Sequence, residues 1–194
     1  MITAKDIQQL REETQAPVME CKKALEEANG DFEKAKLILK KKGELRAEKK
    51  QNAETKSGII EAYVHSNNRV GVLLELRCET DSVAHNQDFK ALAHDISMHI
   101  AALNPLYISS NSIPQEELNK KIEEYQKEFE GSNKPKEIID KIIQGKLEKE
   151  FQEICLLEQP FIKDETKTIK DLLVEATAKF GENIEVGRFC RFQI

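Results

Sequence analysis

The chain has no tryptophan, and aromatic side chains make up only 6% of its 194 residues. So few flat rings leave little on which bases could stack, which argues against a single-stranded nucleic-acid ligand. A basic surplus is also missing. Thirty Lys+Arg face 35 Asp+Glu, a formal net charge of −5, whereas a dedicated nucleic-acid binder shows the opposite balance. No apolar run approaches the ~20 residues of a membrane-spanning helix. With eight glycines and five prolines, collagen-like and low-complexity classes are excluded. The opening Met1-Ile2-Thr3-Ala4-Lys5-Asp6 carries neither a basic-then-apolar signal nor an Arg-rich transit pattern. Neither direct nucleic-acid binding nor a membrane is therefore expected, and the expected location is the compartment of synthesis.

Metal and catalytic signatures are missing too. Cys21, Cys78, Cys155 and Cys190 form no C-x-x-C pair, and His65, His85, His94 and His99 fall into no zinc spacing. Four reduced, mostly buried thiols are expected, with no metal and no cofactor. Phosphate-binding loop, dinucleotide, zinc-protease and nucleophile-elbow patterns are all absent. Asp81, Ser82, His85 and Asp88 are the one close set of Ser, His and Asp. A nucleophile and its base need mutual geometry, which closeness in sequence does not supply. The acidic pairs Glu116-Glu117 and Glu123-Glu124 read as solvated helix faces.

What is present divides by charge and by period. Residues 1–57 hold 13 basic and 11 acidic side chains, and residues 58–194 hold 17 and 24. The first 43 residues read as three short helices. Thr3 suits a cap, with Ile2 and Ile7 as a hydrophobic staple. Pro17 suits the first turn of a second helix, whose stripe is Val18, Cys21, Ala24, Leu25 and Ala28. Asn29-Gly30 supplies a left-handed stop. Asp31 opens a third helix with Phe32, Ala35, Leu37, Ile38 and Leu39, ending at Gly43. A core this small has no room for a catalytic pocket, so docking is its natural use. Residues 44–57 are polar and read as a linker, part helical and part extended.

From residue 58 the period changes. Residues 58–65 are rich in Ile, Tyr and Val, and Ser66-Asn67-Asn68 reads as a turn. Val70, Val72, Leu74, Leu76 and Cys78 then alternate with mainly polar neighbours, a half-buried strand of a hairpin. Phe89, Leu92, Ala93, Ile96, Ile100 and Leu103 line a long helix that stops before Pro105. A charged helical insertion of about 114–153 follows, broken around Gly131-Ser132-Asn133. A further helix runs from Ile169 to Phe180, and residues 183–192 read as a closing strand with Gly187 at a bulge. The expectation is α+β: a three-helix head at 1–43, then a core at 58–194 of a small antiparallel sheet covered by helices.

Residues 78–84, Cys-Glu-Thr-Asp-Ser-Val-Ala, join a strand to a helix. They read either as a plain helix cap, with Thr80 or Asp81 accepting backbone N–H groups, or as a polar corner that projects into a partner. Here the chain resembles the translation elongation factor Ts family. Residues 10–14 (Leu-Arg-Glu-Glu-Thr) and 19–25 (Met-Glu-Cys-Lys-Lys-Ala-Leu) are similar to that family's first signature. Residues 75–81 (Glu-Leu-Arg-Cys-Glu-Thr-Asp) with Val83-Ala84 are similar to the second. Residues 156–161, Gly181-Glu182-Asn183-Ile184 and residues 188–192 extend the likeness to the C-terminus.

The resemblance implies a UBA-like head and a single core of the short type, which works as a homodimer. It implies guanine-nucleotide exchange on elongation factor Tu in translation elongation, with no covalent chemistry. Thr80, Asp81, Ser82 and Val83 would displace Mg2+ from the partner's nucleotide site, and Val18, Met19, Lys22 and Lys23 would dock the head. The cytoplasm is implied, or the plastid stroma for a plastid-encoded chain. Two departures stand out. Ser82 occupies a position where the family usually has Phe, which removes roughly 100 Å2 of apolar contact, about 2–3 kcal/mol if fully buried. Exchange weakened or lost by that change is the alternative expectation. Gln15-Ala16-Pro17-Val18 replaces a glycine-containing turn.

Overall fold

The computed structural model describes residues 2–14, 16–129 and 135–194. Helix α1 (Ala4–Thr14) starts on a reciprocal cap. The Asp6 N–H donates to Thr3 Oγ1 at 3.3 Å, and the Thr3 N–H donates to Asp6 Oδ2 at 2.8 Å. Helix α2 (Val18–Glu27) has Pro17 at its capping position, one residue before the first turn expected of it. Asn29 and Gly30 turn the chain at φ of 53° and 84°, and Asp31 caps α3 (Phe32–Lys50) by accepting the Lys34 N–H at 3.1 Å. Leu10, Cys21, Ala24, Leu25, Ala35 and Leu39 form a small closed core, flanked by Ile2 and Ile7. Leu37 points away from it and is exposed.

Helix α3 does not stop at Gly43. It runs on to Lys50, through the first half of the segment expected to be a linker. A glycine inside a helix costs about 1 kcal/mol relative to alanine, and here close packing offsets that cost. A Cβ on Gly43 would lie 3.0 Å from the Ala178 Cβ, so the missing side chain lets α3 lie against α8 (Ile169–Phe180). One turn later the Arg46 guanidinium pairs with Glu20 of α2 and donates to the Ala178 carbonyl at 2.9 Å.

The main sheet is β1 (Ser57–Val64), β2 (Val70–Cys78) and β5 (Glu185–Gln193), in the order β1-β2-β5 and antiparallel throughout. Central β2 buries Val72, Leu74, Leu76 and Cys78 on one face. They pack with Phe89, Ala93, Ile96 and Ile100 of α5 (Gln87–Leu103) and Ile169, Leu173 and Ala176 of α8. The β2–β5 pairing steps from Glu75↔Arg188 to Leu76↔Val186, leaving Gly187 as the extra residue of a bulge. A Cβ on Gly187 would lie 2.6 Å from Arg77 Nε, so a larger residue at the bulge would have to displace the end of that side chain.

Between α5 and α8 the chain forms α6 (Gln115–Lys127) and α7 (Lys136–Ile154), a charged helical pair. Tyr125 and Lys121 of α6 both reach Glu150 of α7, at 2.8 Å and 3.0 Å. The expected break at Gly131-Ser132-Asn133 lies outside the described residues. A small hairpin of β3 (Pro160–Phe161) and β4 (Asp164–Thr168) leads into α8 and was not expected, because two and five residues carry no readable alternation. Thr168 and Asp171 form a capping box on α8, and Gly181 ends it at φ 75°. The fold is α+β, as expected. No helix among the described residues is long and apolar enough to cross a membrane.

Candidate functional site

Strand β2 ends at Cys78 and the short helix α4 (Asp81–Ala84) begins three residues later. The turn between them is polar above and apolar below. Asp81 and Ser82 are exposed, as is Thr80. Val83 and Ala84 face the opposite way and are buried in the main core. Thus three of the four expected corner residues share one exposed edge. The fourth, Val83, anchors that edge from beneath.

Thr80 occupies the capping position of α4, yet its hydroxyl does not cap. It donates to Glu182 Oε1 at 2.6 Å instead. The backbone N–H groups of Glu79 and Thr80 donate to Glu182 Oε2 at 3.1 Å and 3.0 Å. Glu79 returns the exchange: its carboxylate accepts the Asn183 N–H at 2.7 Å and Lys50 Nζ at 3.0 Å. The Asn183 N–H, aided by Lys50, holds the Glu79 carboxyl below the usual carboxylate range. Asp81 accepts the Ser57 hydroxyl. The Cys78 thiol donates to the Thr80 carbonyl at 3.2 Å, and burial pushes its pKa up.

The set Asp81, Ser82 and His85 is not wired for nucleophilic catalysis. His85 Nδ1 donates to the Asp81 backbone carbonyl at 2.7 Å, and the Asp81 carboxylate is engaged by Ser57. Neither group addresses the Ser82 hydroxyl. A cavity of about 600 Å3 between α3, α5 and α8 is lined by residues such as Leu39, Leu92 and Phe180 and by none of the corner residues.

The second expected set lies on α2. Val18, Met19, Lys22 and Lys23 are exposed on the side of the helix opposite Cys21, Ala24 and Leu25. Their spacings of three and four put them on one face. Lys22 pairs weakly with Glu26 at 3.9 Å, and a shallow groove beside Lys23 is completed by Lys42, Leu45 and Lys49 of α3. The two sets are on different elements. Helix α3 joins them, with Arg46 at α2 and Lys50 at Glu79.

Residues 2–194 match the family described as Elongation factor TS. This chain belongs to the elongation factor Ts family. Curated relatives of that name agree. One from Thermodesulfovibrio yellowstonii is 56% identical over 193 residues, covering 100% of this chain and 96% of the relative. One from Fervidobacterium nodosum is 52% identical over 193 residues, covering 100% and 98%. One from Thermotoga maritima is 53% identical over 188 residues, covering 97% and 94%. The elongation factor Ts likeness therefore spans both the three-helix head and the sheet-containing core.

Glu182, Asn183, Lys50 and Ser57 were not named as site residues by sequence reasoning. Glu182 and Asn183 stand in one of the quoted motifs, but their partners lie more than a hundred residues away. No local pattern reports a contact of that span.

Proposed function

We propose that this chain is a guanine-nucleotide exchange factor for elongation factor Tu in translation elongation, acting in the cytoplasm. The observation that carries the reading is the full-length match to elongation factor Ts together with an exposed, anchored Thr80-Asp81-Ser82 corner. Val18, Met19, Lys22 and Lys23 dock the head on the partner. Thr80, Asp81 and Ser82 enter the nucleotide site and displace Mg2+ there, with Val83 holding the corner from the core. Loss of Mg2+ leaves the phosphates of GDP without their counter-charge, and GDP leaves. No bond is made or broken. The energetics are linkage: a factor that binds the nucleotide-free partner more tightly lowers nucleotide affinity by the same factor.

The working unit is a homodimer formed through the outer face of the sheet. Ile60 (62% exposed), Val64 (65%), Leu73 (47%) and Phe192 (70%) lie on that face. In register, Leu73 sits between Ala62 and Cys190. The face is apolar across the rows of Ala62, Leu73 and Cys190 and of Val64 and Phe192, with the Glu75–Arg188 ion pair beside Ile60 at its border; an apolar patch with a charged rim is what an interface covers. Ser82, the change that raised the alternative of weakened exchange, is exposed on the corner, and the likeness to elongation factor Ts lends that alternative no support.

The deciding measurement is release of labelled GDP from the cognate elongation factor Tu. Micromolar concentrations of this chain accelerate it. An unchanged release rate, with binding intact, leaves only a docking protein.

A further inference from the structure

The corner is more firmly held than a short turn requires. Helix α4 has four residues and no side-chain cap of its own. The N–H groups that precede it would otherwise lack protein partners. One carboxylate takes three of the local donors: both N–H groups of Glu79 and Thr80 and the Thr80 hydroxyl. That carboxylate belongs to Glu182, on the segment between α8 and β5. The neighbouring Asn183 N–H is taken by Glu79, so the two segments exchange carboxylates in both directions. The Asn183 amide also donates to the Ala53 carbonyl at 2.9 Å, which ties in the stretch that follows α3.

We propose that Glu182 is a positioning residue for exchange, clasping the Glu79–Thr80 backbone so that Asp81 and Ser82 are presented in one fixed geometry. The role rests on the exchange reading above. Its physical content is pre-organisation: a corner already held in place loses little freedom when it enters the partner. Ser82 stays open to the partner because the clasp grips the residues before it, and the exposed Asp81 carboxylate is held only by the Ser57 hydroxyl. The docking residues of α2 touch neither carboxylate, so the clasp acts on the exchange step and not on docking.

The experiment follows labelled GDP release from the cognate factor Tu across a concentration series of the full chain, alongside amide hydrogen exchange of the free protein. In Glu182→Ala the maximal release rate falls by about tenfold or more, while the half-saturating concentration moves by less than about threefold. The Glu79 and Thr80 amides lose protection in the same variant. Glu182→Gln keeps a carbonyl oxygen for the two N–H groups and restores most of both. If Glu182→Ala fails to fold, Glu182→Asp, which withdraws the carboxylate by one methylene, is expected to show the same rate loss. A maximal rate within about twofold of wild type in the folded variant overturns the proposal. So does a rate loss matched by the same loss of docking. A wild-type chain that releases no GDP overturns the exchange reading itself. Full exchange with an indifferent Glu182 overturns only the positioning role.

Discussion

His99 Nε2 and Gln159 Oε1 meet at 3.0 Å in the buried interior, sixty residues apart in the chain. His99 Nδ1 accepts the Ile162 N–H at 3.4 Å, so Nε2 carries the ring hydrogen and donates it. The Gln159 amide in turn donates to the Glu153 carbonyl at 2.7 Å. This neutral chain pins α5 to the end of α7 and to the β3–β4 hairpin.

Burial holds the His99 pKa below its ordinary 6.5. The unfolded chain takes up this proton near 6.5, and the folded chain only at lower pH. Stability from this site is therefore complete above pH ~6.5 and is lost as pH falls toward the depressed folded value. Denaturant titrations at pH 7.5 and 5.5 should show the loss, with a slope of at most about 1.4 kcal/mol per pH unit. His99→Gln is less stable at both pH values but lacks that slope. An equal slope in the variant would place the effect elsewhere.

The buried thiols should be inert. Burial raises the pKa of Cys21, Cys78 and Cys155, the last to about 11, which keeps them protonated and poorly nucleophilic. Cys190 is exposed. Alkylation of the native chain at pH 8, followed by mass spectrometry, should modify Cys190 first and leave the other three until denaturant is added. Rapid native labelling of Cys155 would contradict the packing around it.

Leu73 is the test of the sheet face. Leu73→Arg puts a charge at the centre of the proposed dimer contact without entering the core, because the side chain already points outward. Sedimentation should give a dimer for wild type and a monomer for the variant, with unfolding stability of the monomer little changed. Cys190, beside Leu73 in register, should then react faster with alkylating reagents. A variant that remains dimeric excludes this face.

Gly43 tests the seam between α3 and α8. Leucine there must push into Ala178, and overpacking of this sort costs about 1–3 kcal/mol. Thermal unfolding should register the loss, together with weaker protection of α8 amides. Stability equal to wild type would mean that α3 moves away without penalty.

Much of this was legible in the sequence because it is local. Period two in Val72, Leu74, Leu76 and Cys78, and the Phe89–Ile100 stripe, each report a buried face directly. Asn29-Gly30 and Gly181 announce left-handed ends. Gly43 misled, since a glycine near a run of lysines reads as a stop. Its reason for being glycine is tertiary: Ala178, 135 positions later, packs where a side chain would stand. The candidate site divides the same way. Thr80, Asp81 and Ser82 stand together in one motif. Glu182 enters only through tertiary contact, and the burial of Val83 depends on which way a four-residue helix is turned.

The continuity of α3 has a mechanical consequence. Its 19 residues span about 28 Å as a single rod. One end carries the Asp31 cap in the head, and the other places Lys50 on Glu79 beside the corner. A rod transmits twist as well as distance. One residue added between Gly43 and Lys50 would advance Lys50 by about 1.5 Å and swing it by about 100°. The angle between the exposed α2 face and the corner is thus set by residue count along this helix, so a single insertion should disturb it more than substitutions that preserve the helix.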